Sequence, residues 1–107
     1  MKFTLKLPPD QNAPVVLNRA GYATFRDPNT GQTSYVKRLG DYFYPRFHLY
    51  VQSANTAQAI CSLHLDMKQP SYTGSRAHSG EYDGEQVVNE IKRILGVAAQ
   101  FSAPAPV

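Results

Sequence analysis

Tryptophan is absent, cysteine occurs once and methionine twice in 107 residues. The single cysteine, Cys61, excludes an intrachain disulfide and any zinc finger or ribbon built on paired cysteines. It suits a reducing compartment. Long apolar runs are missing as well. No stretch approaches the roughly 20 apolar residues of a membrane helix. The opening MKFTLKLPPD breaks at Pro8–Pro9 before a signal-peptide run can develop. These absences predict a cytoplasmic chain with no membrane partner. There is no Walker A loop and no GxGxxG, so nucleotide phosphate binding lacks its usual signature. Charged residues make up only 18 % and hydrophobic residues 42 %, which fits neither a disordered chain nor a coiled coil. The length allows one domain, not a cofactor domain joined to a substrate domain.

What is present is mostly alternation. Phe3, Leu5 and Leu7 alternate with Lys2, Thr4 and Lys6, a strand with one buried face that Pro8 and Pro9 end. Asn12 or Ala13 can cap a short helix, Pro14 suits its first turn and Gly21 its C′ position. Residues 22–26 and 33–39 flank Asp27-Pro28-Asn29-Thr30-Gly31-Gln32 and read as a hairpin. A second hairpin joins 46–53 to 58–66 around Ala54-Asn55-Thr56-Ala57. Residues 67–82 read as an irregular loop, long enough to suggest a functional role. Asp83 then caps a helix, with Gln86 completing a capping box. Val87, Val88, Ile91, Ile94 and Leu95 form its apolar stripe, and Gly96 should end it. The order β-α-β-β-β-β-α predicts an α+β domain over 1–97. It has an antiparallel sheet of about five strands, a C-terminal amphipathic helix on one face, and a disordered tail over 98–107. The other sheet face is left for solvent or a ligand.

Parity gives that second face its chemistry. Phe47, Leu49 and Val51 alternate with Arg46, His48, Tyr50 and Gln52, while Cys61, Leu63 and Leu65 alternate with Ser62, His64 and Asp66. If both apolar sets face the helices and the strands pair as a hairpin, His48, Tyr50, His64 and Asp66 share the opposite face, with His48 close to His64. Two histidines and a carboxylate suit a divalent transition metal or an acid–base pair. The 67–82 loop could bring Tyr72, His78 and Glu81 to the same face. The plainer alternative is a solvent-facing polar surface on which Asp66 pairs with Lys68. Cys61 should be an inert core thiol.

The net charge of +3 is concentrated in residues 19–46, where Arg19, Arg26, Lys37, Arg38 and Arg46 face only Asp27 and Asp41. Tyr22, Phe25, Tyr35, Tyr42 and Tyr44 interleave with them, a mixture able to stack bases and neutralise phosphates. The segments GYATFRDPNTGQTSYVKRL, YPRFHLYV and LHLDMKQPSYTGSRAHSGEYDGE resemble a family of short uncharacterised proteins from small-genome candidate-phyla bacteria. That resemblance implies a compact bacterial domain and carries no activity, ligand or catalytic residue.

The resulting expectation is a small binding domain. His48, Tyr50, His64, Asp66, Tyr72, His78 and Glu81 would contact a ligand, and Arg38, Arg46 and Lys68 would hold its anionic part, nucleic acid or another phosphorylated molecule. One alternative is a metal-dependent hydrolase, with His48, His64 and His78 or Asp66 on a divalent metal and Glu81 as general base. Another is an interaction module that forms a homodimer through an exposed strand.

Overall fold

The computed structural model describes residues 1–68, 79–81 and 84–102. Its elements are β1 (Lys2–Lys6), α1 (Ala13–Arg19), β2 (Ala23–Arg26), β3 (Thr33–Arg38), β4 (Arg46–Ala54), β5 (Gln58–Lys68), β6 (Ser79–Glu81) and α2 (Glu85–Ser102). The sheet is antiparallel with the order β1-β5-β4-β3-β2, and β6 also pairs with β5. Strands β2 to β5 form a meander, and its first and last turns carry Asx bonds. Asp27 Oδ1 accepts from the Asn29 and Thr30 amides at 2.8 and 3.4 Å, and Asn55 Oδ1 from those of Ala57 and Gln58 at 2.8 and 2.9 Å.

Strand β5 is the axis of the fold. One edge takes β4 along most of its length. The other takes β1 against residues 58–62 and β6 against residues 65–68. Between them the Leu63 amide donates to the Met1 carbonyl at 2.9 Å, and the Met1 ammonium donates to the Leu63 carbonyl at 2.7 Å. The three-residue β6 lies within the segment expected to be wholly irregular. Ser-Gly-Glu carries no alternation; the open edge of β5 beyond β1 is what it pairs with. Residues 69–78, with Tyr72 and His78, and residues 82–83, with the expected Asp83 cap, lie outside the described residues.

Helix α1 starts at Asn12, whose Oδ1 accepts from the Val15 amide at 3.0 Å, with proline just inside. It stops in a Schellman arrangement. The Tyr22 amide bonds the Leu17 carbonyl and the Gly21 amide the Asn18 carbonyl, each at 3.0 Å, with Gly21 at φ +98°. Leu5, Val16, Leu17, Leu49, Leu63, Leu65, Val87 and Ile94 are fully buried between the helices and the sheet. Each contributes on the order of 1.5–3 kcal/mol by leaving water. Cys61 is buried among them, and burial pushes its thiol up to about 11. No helix among the described residues is long and apolar enough to cross a membrane.

Helix α2 corrects two expectations. It does not stop at Gly96 but continues to Ser102, so residues 98–102 are helical rather than part of a disordered tail; residues 103–107 lie outside the described residues. Ala98 is buried and Phe101 packs against the core, with the Arg19 guanidinium 5.2 Å over its ring. Those contacts offset the cost of about 1 kcal/mol for a mid-helix glycine. Leu95 is exposed instead of lying on the buried stripe. Glu90 takes a place on that stripe. It accepts a hydrogen bond from the Tyr22 hydroxyl at 2.6 Å and two from Arg93 at 2.8 Å, while Arg93 also donates to the Ala20 carbonyl at 2.6 Å. Burial works against the Glu90 carboxylate, but the Arg93 and Tyr22 bonds hold its pKa below the ordinary value. The same burial and the Glu90 charge drive Tyr22 far up, so it stays protonated. This cluster clamps α2 to the end of α1.

Candidate functional site

Strands β4 and β5 pair so that Arg46 stands opposite Asp66, His48 opposite His64 and Tyr50 opposite Ser62. Phe47, Leu49, Leu63 and Leu65 turn into the core, so the polar set shares the other face, as the alternation requires. Strand β3 lies beside β4 with Val36 opposite His48 and Arg38 opposite Arg46. With Tyr35 in the core, Ser34 joins the histidine face.

That face is not a solvated surface at this point. His48 and His64 are each 7 % exposed and Asp66 6 %. The cluster is closed by aromatic rings. Tyr50 stacks at 4.6 Å from the His48 ring and 6.0 Å from the His64 ring, and the two imidazoles are 5.2 Å apart. Phe25 reaches across β3 from the edge strand β2 to meet His48 edge-on at 6.3 Å. A buried polar group without a partner costs about 1–3 kcal/mol. Among the described residues no buried side-chain nitrogen or oxygen lacks one.

Asp66 is the hub. Its Oδ2 lies 3.1 Å from His48 Nδ1 and 3.3 Å from Arg46 Nε, and its Oδ1 2.8 Å from His64 Nε2. An ionised carboxylate only accepts, so both ring nitrogens facing it carry protons. Burial raises the Asp66 pKa, but the hydrogen bonds from His48 and His64 outweigh it and hold the carboxyl well below the usual range. A neutral His48 with its proton on Nδ1 has a lone pair on Nε2, and Ser34 Oγ stands 2.7 Å from that atom, placed to donate to it. The chain therefore reads Ser34–His48–Asp66–His64, with Arg46 balancing the carboxylate charge.

The expected site residues divide clearly. His48, His64, Asp66, Tyr50 and Arg46 come together. Arg38 points elsewhere, exposed and 4.2 Å over the Phe43 ring. Asp66 pairs with Arg46 and the histidines; the Lys68 side chain, expected to pair with it, lies outside what is described. Glu81 stands at the register position opposite Leu65, and Gly80 opposite Asp66. The Glu81 side chain lies outside what is described. Tyr72 and His78 lie outside the described residues. Ser34 was not anticipated. Parity in 33–39 could have found it, given the pairing of β3 with β4.

His48 Nδ1 or Nε2, His64 Nδ1 or Nε2 and an Asp66 oxygen provide three donor atoms within 4.8 Å of one another. Comparison with family models, with curated proteins and with solved structures returns no match.

Proposed function

We propose that this is a small domain that binds one divalent transition metal ion through His48, His64 and Asp66. The observation that carries the reading is the convergence of two imidazole nitrogens on one carboxylate, at 3.1 and 2.8 Å. In a tetrahedral site with ligands about 2.05 Å from the ion, neighbouring ligand atoms are about 3.3 Å apart. The two histidine–carboxylate separations lie within a few tenths of an ångström of such edges, although to different oxygens of Asp66, and the three ligand atoms lie within 4.8 Å of one another. Three protein ligands leave a fourth position for water or a ligand. Ser34 would then accept a hydrogen bond from the second nitrogen of His48, the outer support that metal-bound imidazoles usually have.

Arg46 competes with such an ion for the Asp66 charge. Its guanidinium already rests 4.7 Å over Tyr44 and 5.5 Å over Phe25, which could retain it once the carboxylate is taken. The test is a zinc titration of chelator-treated protein followed through the imidazole NMR signals. His48 and His64 should shift together and saturate at one equivalent. Asp66→Asn and His64→Gln should each abolish the effect, and Arg46→Gln should tighten binding tenfold or so by removing the competing charge. Affinity should fall in acid, because protons compete with the ion for the ligand atoms. Imidazoles that ignore zinc, or a response that survives loss of His64, would overturn the proposal.

The order Ser34–His48–Asp66 favours one second reading, a serine activated by a histidine that a carboxylate orients. Labelling of Ser34 by a fluorophosphonate, lost in His48→Gln, would support it. An unlabelled Ser34 would leave the hydroxyl as a support for His48.

A further inference from the structure

We propose that the loop joining β3 to β4, residues 39–45 with Arg38 and Arg46 at its ends, binds single-stranded nucleic acid. A hydrogen bond from the Leu39 amide to the Pro45 carbonyl, 3.1 Å, closes the base of the loop, so the residues between project from the sheet. Tyr42 is 81 % exposed, Phe43 62 % and Leu39 42 %. Single exposed apolar residues are ordinary, but a contiguous group marks a binding surface.

Charge points to the kind of partner. Arg38 and Arg46 are directly opposed across β3 and β4, a pairing of like charges that costs stability. Asp66 relieves Arg46. Among the described residues no carboxylate pairs with Arg38; its guanidinium lies 4.2 Å over the Phe43 ring, as that of Arg46 lies 4.7 Å over Tyr44. The single carboxylate within the loop is Asp41. The exposed Arg38 guanidinium attracts phosphate, and exposed rings on consecutive residues provide faces for bases. Stacking tolerates any base but requires it to be unpaired, which selects a single strand over a duplex. An acidic peptide would use the arginines and leave the rings idle.

The test is fluorescence anisotropy of a labelled mixed-sequence ten-nucleotide RNA and its DNA counterpart, in chelator so that the outcome is independent of metal. Binding should weaken with salt, with a logarithmic slope of about −0.7 for the one phosphate contact made by Arg38. Tyr42→Ala and Phe43→Ala should each weaken it roughly five- to hundredfold, and Arg38→Gln should reduce the slope by about 0.7. All three side chains are exposed, so melting temperatures should hold. Val15→Ala, an exposed apolar site on α1, should leave binding unchanged. The proposal falls if the oligonucleotides do not bind at low salt, if the double alanine variant binds as well, if duplex binds equally, or if polyglutamate competes as well as the strand does.

Discussion

Replacing Asp66 by asparagine tests whether its carboxylate organises the polar cluster. The carboxylate accepts from Arg46, His48 and His64, at 3.3, 3.1 and 2.8 Å, in a setting only 6 % exposed. Asparagine keeps the shape but offers one acceptor oxygen, and turns its amide protons toward donors that previously met an acceptor. The Arg46 side chain, 13 % exposed, loses its counter-charge. Breaking one partner out of a buried pair costs about 3–5 kcal/mol. With a urea slope of about 1.5 kcal/mol/M, the midpoint at pH 7 should fall by about 2 M or more. Far-UV circular dichroism in chelator is the assay, since the chain has no tryptophan. The pH dependence is also directional. The folded pKa of Asp66 lies below the ordinary aspartate value of 3.8, so the ionised group stabilises the fold fully above that value. Its contribution drains away as pH falls from there toward the lower folded value. The gap between wild type and variant should therefore be constant near neutrality and narrow below about pH 4. A loss under about 1 kcal/mol at pH 7, or a gap that widens in acid, would refute the role assigned to Asp66.

Two glycines should respond in opposite directions to alanine. Gly96→Ala should stabilise by about 0.5–1 kcal/mol, because the position is helical and a Cβ there meets nothing within 4 Å. Gly21→Ala should destabilise by about 1 kcal/mol or more, because φ is +98° and the new Cβ would lie 3.2 Å from Lys37 Cε. Thermal melts of the two variants check both; equal shifts of one sign would contradict the helix-end geometry.

The face shared by His48, His64 and Asp66 was legible because it depends only on two-residue alternation in strands joined by a short turn. Slips of element boundaries leave such parity intact. The apolar positions of α2 were legible as far as Ile94. The continuation to Ser102 was not, since Gly96 is a local stop signal and the contacts of Ala98 and Phe101 that override it are tertiary. Burial of the polar face was hidden for a similar reason. The ring that crosses His48 comes from Phe25, two strands away, and the Ser34 contact depends on the register of β3 against β4. The pairing of β1 with β5 joins segments more than fifty residues apart, and nothing in either segment announces the other.

That pairing also bears on the order in which the chain acquires its structure. The β2–β5 meander closes through short turns, so its ladders cost little loop entropy. Strand β1 must bring residues 2–6 against residues 58–62, across the whole meander. The rate-limiting ensemble should then contain the meander without β1. Leu5→Ala, at a fully buried position on β1, should speed unfolding and leave the folding rate nearly untouched. A slowed folding arm would place β1 in the nucleus instead. The edge of β5 is thus the last seam to close, and the Met1–Leu63 hydrogen bonds lie on that seam.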